Sequence, residues 1–163
     1  MARPVQWRAS ATIHASREEV WDAVENLARI PDFHPDGARV ELLSGNEHRT
    51  AGVEYRCVVS EGPRTGSCVE RVLETVPYQK TTTLAVQDTW GLDRLLREFV
   101  TETVLSSQDG QTTTVTMLGY YRPAGIKAWI LNLLFIRRLM AKRGRDVLSG
   151  IKTMVESLRS SPR

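Results

Sequence analysis

The stretch that decides the fold is PAGIKAWILNLLFIRRLMAKRGRDVLSGIKTMVESL, residues 123–158. Its apolar residues recur every three or four positions, and this spacing predicts one long amphipathic helix. The apolar stripe consists of Trp129/Ile130, Leu133, Ile136, Met140, Val147/Leu148, Ile151, Met154/Val155 and Leu158. Gly144 also falls on the stripe, where the missing side chain either admits a neighbouring backbone or leaves space for a ligand.

Charge is distributed unevenly along the chain. The formal net charge is +3, but residues 124–163 hold 9 Lys+Arg and 2 Asp+Glu (net +7), which leaves 13 against 17 (net −4) for residues 1–123. The last helix carries a basic cluster of Arg137, Arg138, Lys142, Arg143 and Arg145. This cluster is suited to an anionic surface, although it could simply solvate the outer face of the helix. No aromatic residues interleave with these cations, so we expect no nucleic-acid partner.

The chain before this helix reads as a strand, a helical region and a series of strands. Residues 6–13 alternate apolar and polar side chains, as a half-buried strand does. Ser16 and Glu19 have the spacing of a capping box, which predicts a short helix, and Pro31 and Pro35 end the helical region. Further strands are predicted at 39–43, 53–60, 65–76, 80–88, 95–106 and 111–122. Consecutive strands without intervening helices indicate an antiparallel meander, which the last helix must cover.

Size and composition are those of a single globular domain. The 163 residues are 41% hydrophobic, which predicts one domain over residues 1–158 and a disordered tail at 159–163. The N-terminus lacks an apolar signal segment, and the apolar run 128–136 is far shorter than a membrane span. We therefore expect a soluble, cytoplasmic protein. Its two cysteines, Cys57 and Cys68, are too few for a disulfide scaffold.

Several of these segments together resemble a known superfamily. They are Val20-Trp21, Phe33-His34-Pro35, Glu70-Arg71-Val72, Gly119-Tyr-Tyr-Arg-Pro-Ala-Gly125 and the long last helix. In this order they are similar to the START-like, or helix-grip, superfamily, and in particular to its polyketide cyclase/dehydrase and lipid-transport group. The resemblance implies an α+β fold, in which a curved antiparallel sheet wraps around the last helix and two short helices follow the first strand. It also implies a hydrophobic cavity between sheet and helix.

The hairpin 53–76 is where the sequence places candidate chemistry. A symmetric register about Gly62-Pro63 pairs Tyr55 with Glu70 and Cys57 with Cys68, all on the face that also carries Val59. A carboxylate in an apolar cavity can act as an acid or base near neutral pH, and the resemblance implies that Glu70 faces the pocket. Alternatively, Glu70 only forms a structural ion pair. The two cysteines could form a disulfide only if oxidised and in suitable geometry, and they are expected to be plain buried thiols that line the cavity.

Two residues outside the hairpin are also candidates. His34 lies in the segment that in this superfamily runs below the cavity mouth, so it is a third candidate for proton transfer, although it could be a surface-loop histidine. Trp90, in the loop 88–93, either gates the cavity and stacks on a ligand or packs on the tip of the last helix. The His, Cys, Asp and Glu residues do not have the spacing of metal ligands, so no metal is expected.

The strand faces are less determined by the pattern. Alignment backward from Pro123 on the family pattern turns Thr116, Leu118 and Tyr120 toward the cavity. On residues 80–88 the inward set is Thr82, Leu84 and Val86, whereas on 95–106 either Glu98 or the rival set Arg97, Phe99 and Thr101 points inward. The expected ligand-binding residues are Cys57, Val59, Cys68, Leu84, Trp90, Thr116, Leu118, Tyr120, Trp129, Leu133, Ile136 and Met140.

Two functions fit this outline. The first is a polyketide cyclase/aromatase-like protein that folds a hydrophobic poly-keto or polycyclic molecule and promotes cyclisation or dehydration without a cofactor, as a lyase or isomerase, using Glu70, Tyr55 and His34. The second is a non-catalytic carrier, chaperone or sensor of a lipid, isoprenoid or quinone. In that case the last helix could contact an anionic membrane transiently. A homodimer is compatible with either function.

Overall fold

The computed structural model describes residues 4–61, 63–107 and 109–160. The chain begins with a strand and a helical region. Strand β1 (Val5–Ile13) precedes helix α1 (Arg17–Glu25), a 3₁₀ turn (Leu27–Arg29) and the short helix α2 (Ile30–Phe33). Strands β2 (Arg39–Ser44), β3 (Glu54–Glu61), β4 (Arg64–Val76), β5 (Lys80–Asp88), β6 (Leu96–Ser107) and β7 (Thr113–Pro123) follow, with helix α3 (Leu92–Leu95) before β6. The chain ends with helix α4 (Ile126–Leu131), a π-helical turn (Asn132–Ile136) and helix α5 (Arg137–Ser160).

All seven strands form one antiparallel sheet in the order β1-β7-β6-β5-β4-β3-β2. The first strand, β1, pairs with the last strand, β7. Residues 16–38 then lead the chain from this edge of the sheet to β2 at the opposite edge, and the other strands pair with their neighbours in sequence. The sheet curves around the C-terminal helix, so the predicted α+β helix-grip fold is confirmed.

The capping box that begins α1 is present as predicted. Ser16 Oγ accepts the backbone N–H of Glu19 at 3.3 Å, and the Glu19 carboxylate accepts the N–H of Ser16 at 2.8 Å. These bonds satisfy two backbone donors that a helix start leaves free. They orient α1 so that Val20, Trp21 and Val24 are buried against the sheet.

The C-terminal half of α5 fills one end of the concave face. Leu148, Ile151 and Val155 are at most 3% exposed and pack with Ile13 and Val115 of the sheet. Polar contacts fix the same half to the end of β1, since Lys152 Nζ donates to the Thr12 carbonyl at 2.8 Å. This end is therefore a packed core, which contributes most of the burial between helix and sheet.

The prediction that Gly144 leaves space for a ligand is wrong. A Cβ at this position would lie 2.8 Å from Trp7 and 3.0 Å from Ala9, and one at Gly119 would overlap the indole of Trp7. The indole thus occupies the space between the two glycines. At Gly150 a Cβ would lie 1.9 Å from the carbonyl oxygen of Phe33, so the helix and the α2 backbone are in close contact there.

The ends of the last helix differ from the prediction. The helical segment is interrupted by the π-helical turn, and α5 continues to Ser160 rather than ending at residue 158. Arg159 Nη1 donates to the carbonyl of His14 at 2.6 Å, so the start of the tail at residue 159 was predicted too early. Residues 161–163 of the predicted tail, and Gly62 in the predicted hairpin turn, lie outside the described residues.

Candidate functional site

The β3–β4 hairpin has the register predicted from its turn. Tyr55 pairs with Glu70, Cys57 with Cys68, and Ser60 with Thr65. Side chains alternate along a strand, so the first two pairs share one face. That face points toward the interior, because Tyr55 is fully buried and Val59 is 6% exposed.

Three polar side chains form a hydrogen-bonded chain on this inner face. Arg49 Nη1 donates to the hydroxyl oxygen of Tyr55 at 2.5 Å. The same hydroxyl donates its proton to Glu70 Oε2 through a short hydrogen bond. The Arg49 guanidinium also lies over the Tyr55 ring, 5.1 Å from its centroid. A cation and a carboxylate are thus connected through one buried phenol.

The loop that carries Arg49 is anchored to its surroundings by several hydrogen bonds. The backbone N–H of Arg49 donates to Glu25 O at 2.9 Å, and its Nε donates to Val24 O at 3.0 Å. Its carbonyl accepts the Thr75 hydroxyl at 2.5 Å. The guanidinium is therefore positioned by the end of α1 and by β4. Arg49 was not predicted from the sequence, because it lies in a polar loop without periodicity.

Burial and neighbouring charges together determine the ionisation of Tyr55 and Arg49. Burial raises the pKa of Tyr55 well above its usual value, and Glu70 adds to this effect while Arg49 opposes it. Burial acts to lower the pKa of Arg49, but Tyr55, Glu70 and Cys57 outweigh it and the pKa is raised. Tyr55 therefore stays a neutral donor and Arg49 stays a cation at neutral pH.

The two cysteines are free thiols beside Glu70. Burial raises the pKa of Cys57 to about 12, with Glu70 as the next cause, and burial and Glu70 likewise raise the pKa of Cys68. A thiol is nucleophilic only as the thiolate. Both cysteines therefore act as half-buried, protonated side chains that line the interior.

His34 follows α2 and approaches the same interior from the side of α5. Its Nδ1 accepts the backbone N–H of Asp36 at 3.3 Å, so the neutral ring carries its proton on Nε2. Burial lowers the pKa of His34, while Asp36 and the nearby Glu70 act in the opposite direction. Arg143 of α5 binds Asp36 at 2.7 Å and fixes this corner. His34 is thus a half-buried neutral imidazole rather than a residue of an exposed loop.

The interior is packed at one end and accessible at the other. At the end where β1 finishes and α1 begins, the inward side chains are fully buried, as Ile13, Val72 and Leu105 show. Toward the opposite end several inward side chains are only half-buried. These half-buried side chains are Cys57, Cys68, Glu70, Ala85, Phe99, Met117 and Met140. The candidate ligand site is this accessible half of the concave face, with the Arg49–Tyr55–Glu70 chain at its inner boundary.

Trp90 lies at the rim of this half. Its indole covers Gly66 of β4, where a Cβ would come within 2.2 Å of the ring, and 46% of the residue is exposed. Asp88 holds the loop through its carboxylate, which accepts the N–H groups of Trp90 at 2.8 Å and Leu92 at 2.9 Å. The indole of Trp90 therefore packs on the hairpin, and its role at the mouth of a ligand site stays a prediction.

The inward face predicted for β7 is wrong. Thr113, Val115 and Tyr121 are at most 1% exposed, and Gly119 receives the Trp7 indole, so this alternate set faces the helix. The other set faces outward. Thr116 bonds Ser10 at 3.0 Å on the outer surface, Leu118 pairs with the exposed Arg8, and Tyr120 donates to Glu102 at 3.4 Å. Thr116, Leu118 and Tyr120 therefore do not line the interior.

Three further predicted lining residues are also placed elsewhere. On β5 the inward residues are Thr81 and Thr83, 3% and 7% exposed, so Leu84 points outward. Trp129 and Leu133, on the segment before α5, are 57% and 49% exposed and lie on the outside of the helix. Of the predicted helix residues, Ile136 is buried and Met140 is half-buried on the inward side.

The alternative left open on β6 is resolved in favour of Phe99. Its ring stacks on that of Tyr121 with centroids 5.2 Å apart, so it faces the interior. Glu98 lies at an irregularity of the β6–β7 pairing with φ of 54°, and its carboxylate is 3.7 Å from Arg122 on the outside. Glu98 is thus not a second carboxylate of the interior.

Other features of the surface do not add to this site. A depression of about 360 Å³ lies on the outer face of β3–β5 and is lined by residues such as Arg56, Val69 and Gln87. Across the described residues, we find no group of three or more His, Cys, Asp or Glu side chains arranged to hold a metal ion. None of the helices in the described part of the chain is both long and apolar enough to cross a membrane.

Solved structures with the same architecture define the class of protein. A START superfamily protein from Mycobacterium smegmatis aligns with a TM-score of 0.67 and 13% identity, over 93% of this chain and 97% of its own. Norcoclaurine synthase from Thalictrum flavum, a point mutant bound to a transition-state analogue, gives 0.74 and 12%, over 98% and 99%. The di-domain aromatase/cyclase StfQ of the steffimycin pathway gives 0.68 and 15%, over 94% of this chain and 45% of that one. At such identities the likeness shows the fold, which is the START-like, helix-grip class.

The family assignment is finer than the class. The sequence model for polyketide cyclase/dehydrase and lipid transport proteins matches residues 4–156. The chain therefore belongs to this family, and the START-like, ligand-binding role of that group applies to it. No curated protein sequence matches the chain.

Proposed function

We propose that the protein binds a hydrophobic poly-keto or polycyclic small molecule in the accessible half of its concave face and promotes its cyclisation or dehydration. The observation that carries the proposal is the Arg49–Tyr55–Glu70 chain, which places an oriented carboxylate beside apolar and thiol side chains. A carrier needs only an apolar lining, and a carboxylate tied to a buried cation through a phenol is costly to build. Its position at the inner boundary of the site favours a chemical role.

Glu70 is the proposed acid–base group. Tyr55 engages Oε2, which leaves Oε1 for a ligand. Arg49 bonds the same hydroxyl group and so holds Tyr55, and with it Glu70, in one orientation. Tyr55 is fully buried and therefore positions Glu70 rather than touching the ligand. His34, with its proton on Nε2, is the proposed second group, which would donate to a ligand oxygen.

The chemistry that this arrangement supports is an intramolecular aldol reaction. Glu70 takes a proton from a carbon between two carbonyl groups, and the resulting enolate carbon forms a bond to another carbonyl carbon of the same molecule. The alkoxide oxygen formed from that carbonyl takes up the proton held by Glu70, which restores the carboxylate. Loss of the resulting hydroxyl group together with a proton from the newly bonded carbon, as water, completes the dehydration. The interior supplies proximity by holding the flexible chain in one reactive conformation, and no cofactor enters these steps.

Binding is tested with a variant that fills the proposed site. Met117 points inward and is half-buried, whereas its neighbour Leu118 points outward. We expect Met117→Trp to weaken binding of the fluorescent apolar probe 1-anilinonaphthalene-8-sulfonate at least about tenfold, because the indole takes the probe's space. Leu118→Trp is the matched control and should bind as the wild type does. Equal binding by both variants would place the probe outside the concave face.

Catalysis is tested separately with Glu70→Gln. The amide is isosteric with the carboxylate but cannot accept a proton at neutral pH. With a poly-β-keto thioester as substrate, we expect kcat to fall about 10²–10⁴-fold while binding of the apolar probe stays within about twofold. Native mass spectrometry of the purified protein would identify a bound molecule as a better substrate. Unchanged turnover in this variant would exclude Glu70 as the base.

A carrier of a lipid, isoprenoid or quinone is the second candidate function. The observation that favours it is the apolar, solvent-exposed segment before α5, which lies beside the accessible end of the interior and suits exchange of ligand with a membrane. A carrier would transfer a fluorescent lipid between vesicles equally well with Glu70→Gln. This result together with an absence of turnover would favour the carrier over the enzyme.

A further inference from the structure

The segment Ile126–Ile136, which comprises α4 and the π-helical turn, exposes mainly apolar side chains to solvent. Only Ala128, Asn132 and Ile136, spaced four residues apart, contact the body of the protein and are buried. Every other position except Lys127 carries an exposed apolar side chain. With the adjacent Leu139, the exposed apolar residues are Ile126, Trp129, Ile130, Leu131, Leu133, Leu134, Phe135 and Leu139, each between 41% and 78% exposed. Monomeric proteins rarely expose a contiguous apolar surface of this kind without a binding partner.

Polar anchors hold this segment in place against the sheet. Asn132 is 4% exposed, accepts the Tyr121 hydroxyl at 2.7 Å and donates to Gln6 at 3.1 Å. Arg137 Nε donates to the Gln6 carbonyl at 3.0 Å. The segment is therefore presented to solvent as a fixed helix whose inner side is satisfied, and its apolar side chains point away from the core.

The charge around the segment indicates which partner it fits. From Ile126 to Arg145 the sequence carries six Lys or Arg residues and no Asp or Glu. Lys127, Arg138, Lys142 and Arg145 are exposed beside the apolar surface. In a symmetric dimer through this segment, each copy would present the same cations to the other, and like charges disfavour that pairing. An anionic surface has the opposite charge.

We propose that this segment docks the protein on an anionic lipid bilayer by inserting in the plane of the interface. Residues 126–139 form about 21 Å of helix, which is shorter than the roughly 30 Å hydrocarbon core, so the segment lies in the membrane surface rather than across it. Exposed apolar side chains enter the boundary between headgroups and acyl chains. The neighbouring cations bind the headgroups of anionic lipids.

The segment lies near the accessible end of the concave face. The N–H of Ala124, just before α4, donates to the Leu95 carbonyl at 2.8 Å, so the segment adjoins α3 and the loop of Trp90. Both lie at the accessible end of the concave face. Docking would thus bring the mouth of the site to the lipid surface, where hydrophobic molecules dissolve. This last step rests on the proposed function, whereas docking itself does not.

The test is co-sedimentation of the ligand-free protein with vesicles of phosphatidylcholine alone or mixed with phosphatidylglycerol. We expect binding to the anionic vesicles only. The double variant Leu134→Ser/Phe135→Ser should weaken it at least about tenfold, because each substitution removes a large apolar side chain that the bilayer would bury. Its matched control is Leu42→Ser/Leu43→Ser on β2, whose residues are 44% and 43% exposed. That control should bind normally.

A charge-reversal pair tests the electrostatic part. Arg138→Glu/Arg145→Glu should weaken binding to anionic vesicles about tenfold or more, whereas reversal of the exposed Arg8 on β1 should not. Normal vesicle binding by the Leu134/Phe135 double variant would overturn the proposal. The proposal would also be overturned if the wild-type protein bound no vesicles and formed a dimer in sedimentation velocity, while the Leu134/Phe135 double variant stayed a monomer. A wild-type protein that binds the apolar probe but no vesicles would refute docking alone, and one that binds vesicles but not the probe would refute the ligand site alone.

Discussion

The hydroxyl of Tyr55 can be removed without changing the shape of the interior. Tyr55→Phe keeps the ring, and with it the contact of Arg49 over the ring at 5.1 Å. It removes the acceptor of the Arg49 Nη1 bond and the donor to Glu70, which are two hydrogen bonds to charged groups. Bonds of this type contribute about 1.5–3 kcal/mol each, so we expect the free energy of unfolding to fall by about 3 kcal/mol after partial rescue by water.

Tyr121→Phe is the matched control for this substitution. Tyr121 is 1% exposed and its hydroxyl makes a neutral hydrogen bond to Asn132 at 2.7 Å, so its loss should cost about 1 kcal/mol. In thermal unfolding the two variants should differ by about 4–8 °C, given about 2–4 °C per kcal/mol for a domain of this size. If Tyr55→Phe cost no more than Tyr121→Phe in urea and thermal unfolding, the charge-assisted chain would be refuted.

Three further predictions concern packing and titration. Gly150→Ala should lower the free energy of unfolding more than Gly144→Ala does, by about 2 kcal/mol or more in urea unfolding. The new Cβ at position 150 meets the Phe33 carbonyl oxygen, which belongs to the backbone and cannot rotate away. The reverse order would contradict the close contact of α5 with α2. Burial raises the pKa of Cys57 from 9.0 to about 12, so the unfolded chain releases this proton first and stability should fall as pH rises above 9; Cys57→Ala should flatten that fall, measured by urea unfolding between pH 8 and 10.5. Burial lowers the pKa of His34, so the unfolded chain takes up this proton first and stability should fall as pH decreases below 6.5; an NMR titration of the His34 ring that gave a pKa above 6.5 would contradict this prediction.

The hairpin could be predicted to the residue because its turn and its pattern agree. The Gly62-Pro63 centre fixes the register, and alternation of Val53, Tyr55 and Val59 against charged neighbours fixes the inward face. Both constraints are local, so no knowledge of the rest of the chain was needed. The pairing of Glu70 with Tyr55 followed directly from them.

The faces of β5 and β7 were not predictable by the same means. On β5, the more apolar set of Leu84 and Val86 faces outward and two threonines are buried, since the pairing of Thr83 with Val72 decides the face. On β7 a signal was present in the sequence. Gly119 in the middle of a strand indicates a close approach by another group, and here the Trp7 indole occupies that space.

The contact of Arg49 with Tyr55 could not be predicted from the sequence. Its guanidinium reaches Tyr55 only because α1, the loop and β4 hold the backbone of Arg49 in one place. These contacts join residues about 25 positions apart, and no periodic pattern in a loop encodes them. A carboxylate on an inward face does, however, favour a nearby cation, so the inward placement of Glu70 indicates a basic partner without saying which residue it is.

The two parts of the C-terminal helical region differ in how much of their apolar surface is buried. Its second half buries Leu148, Ile151 and Val155 almost completely, so substitutions there act on the whole core. The segment before α5 contacts the body through one side only, and its exposed apolar surface adds little to folding. A side chain such as Phe135, at 64% exposure, is unfavourable in water and gains nothing from the fold. A contiguous exposed apolar surface of this kind marks an interaction site, so the outer surface of this segment supports the docking proposal and the inward side of α5 supports the ligand-site proposal.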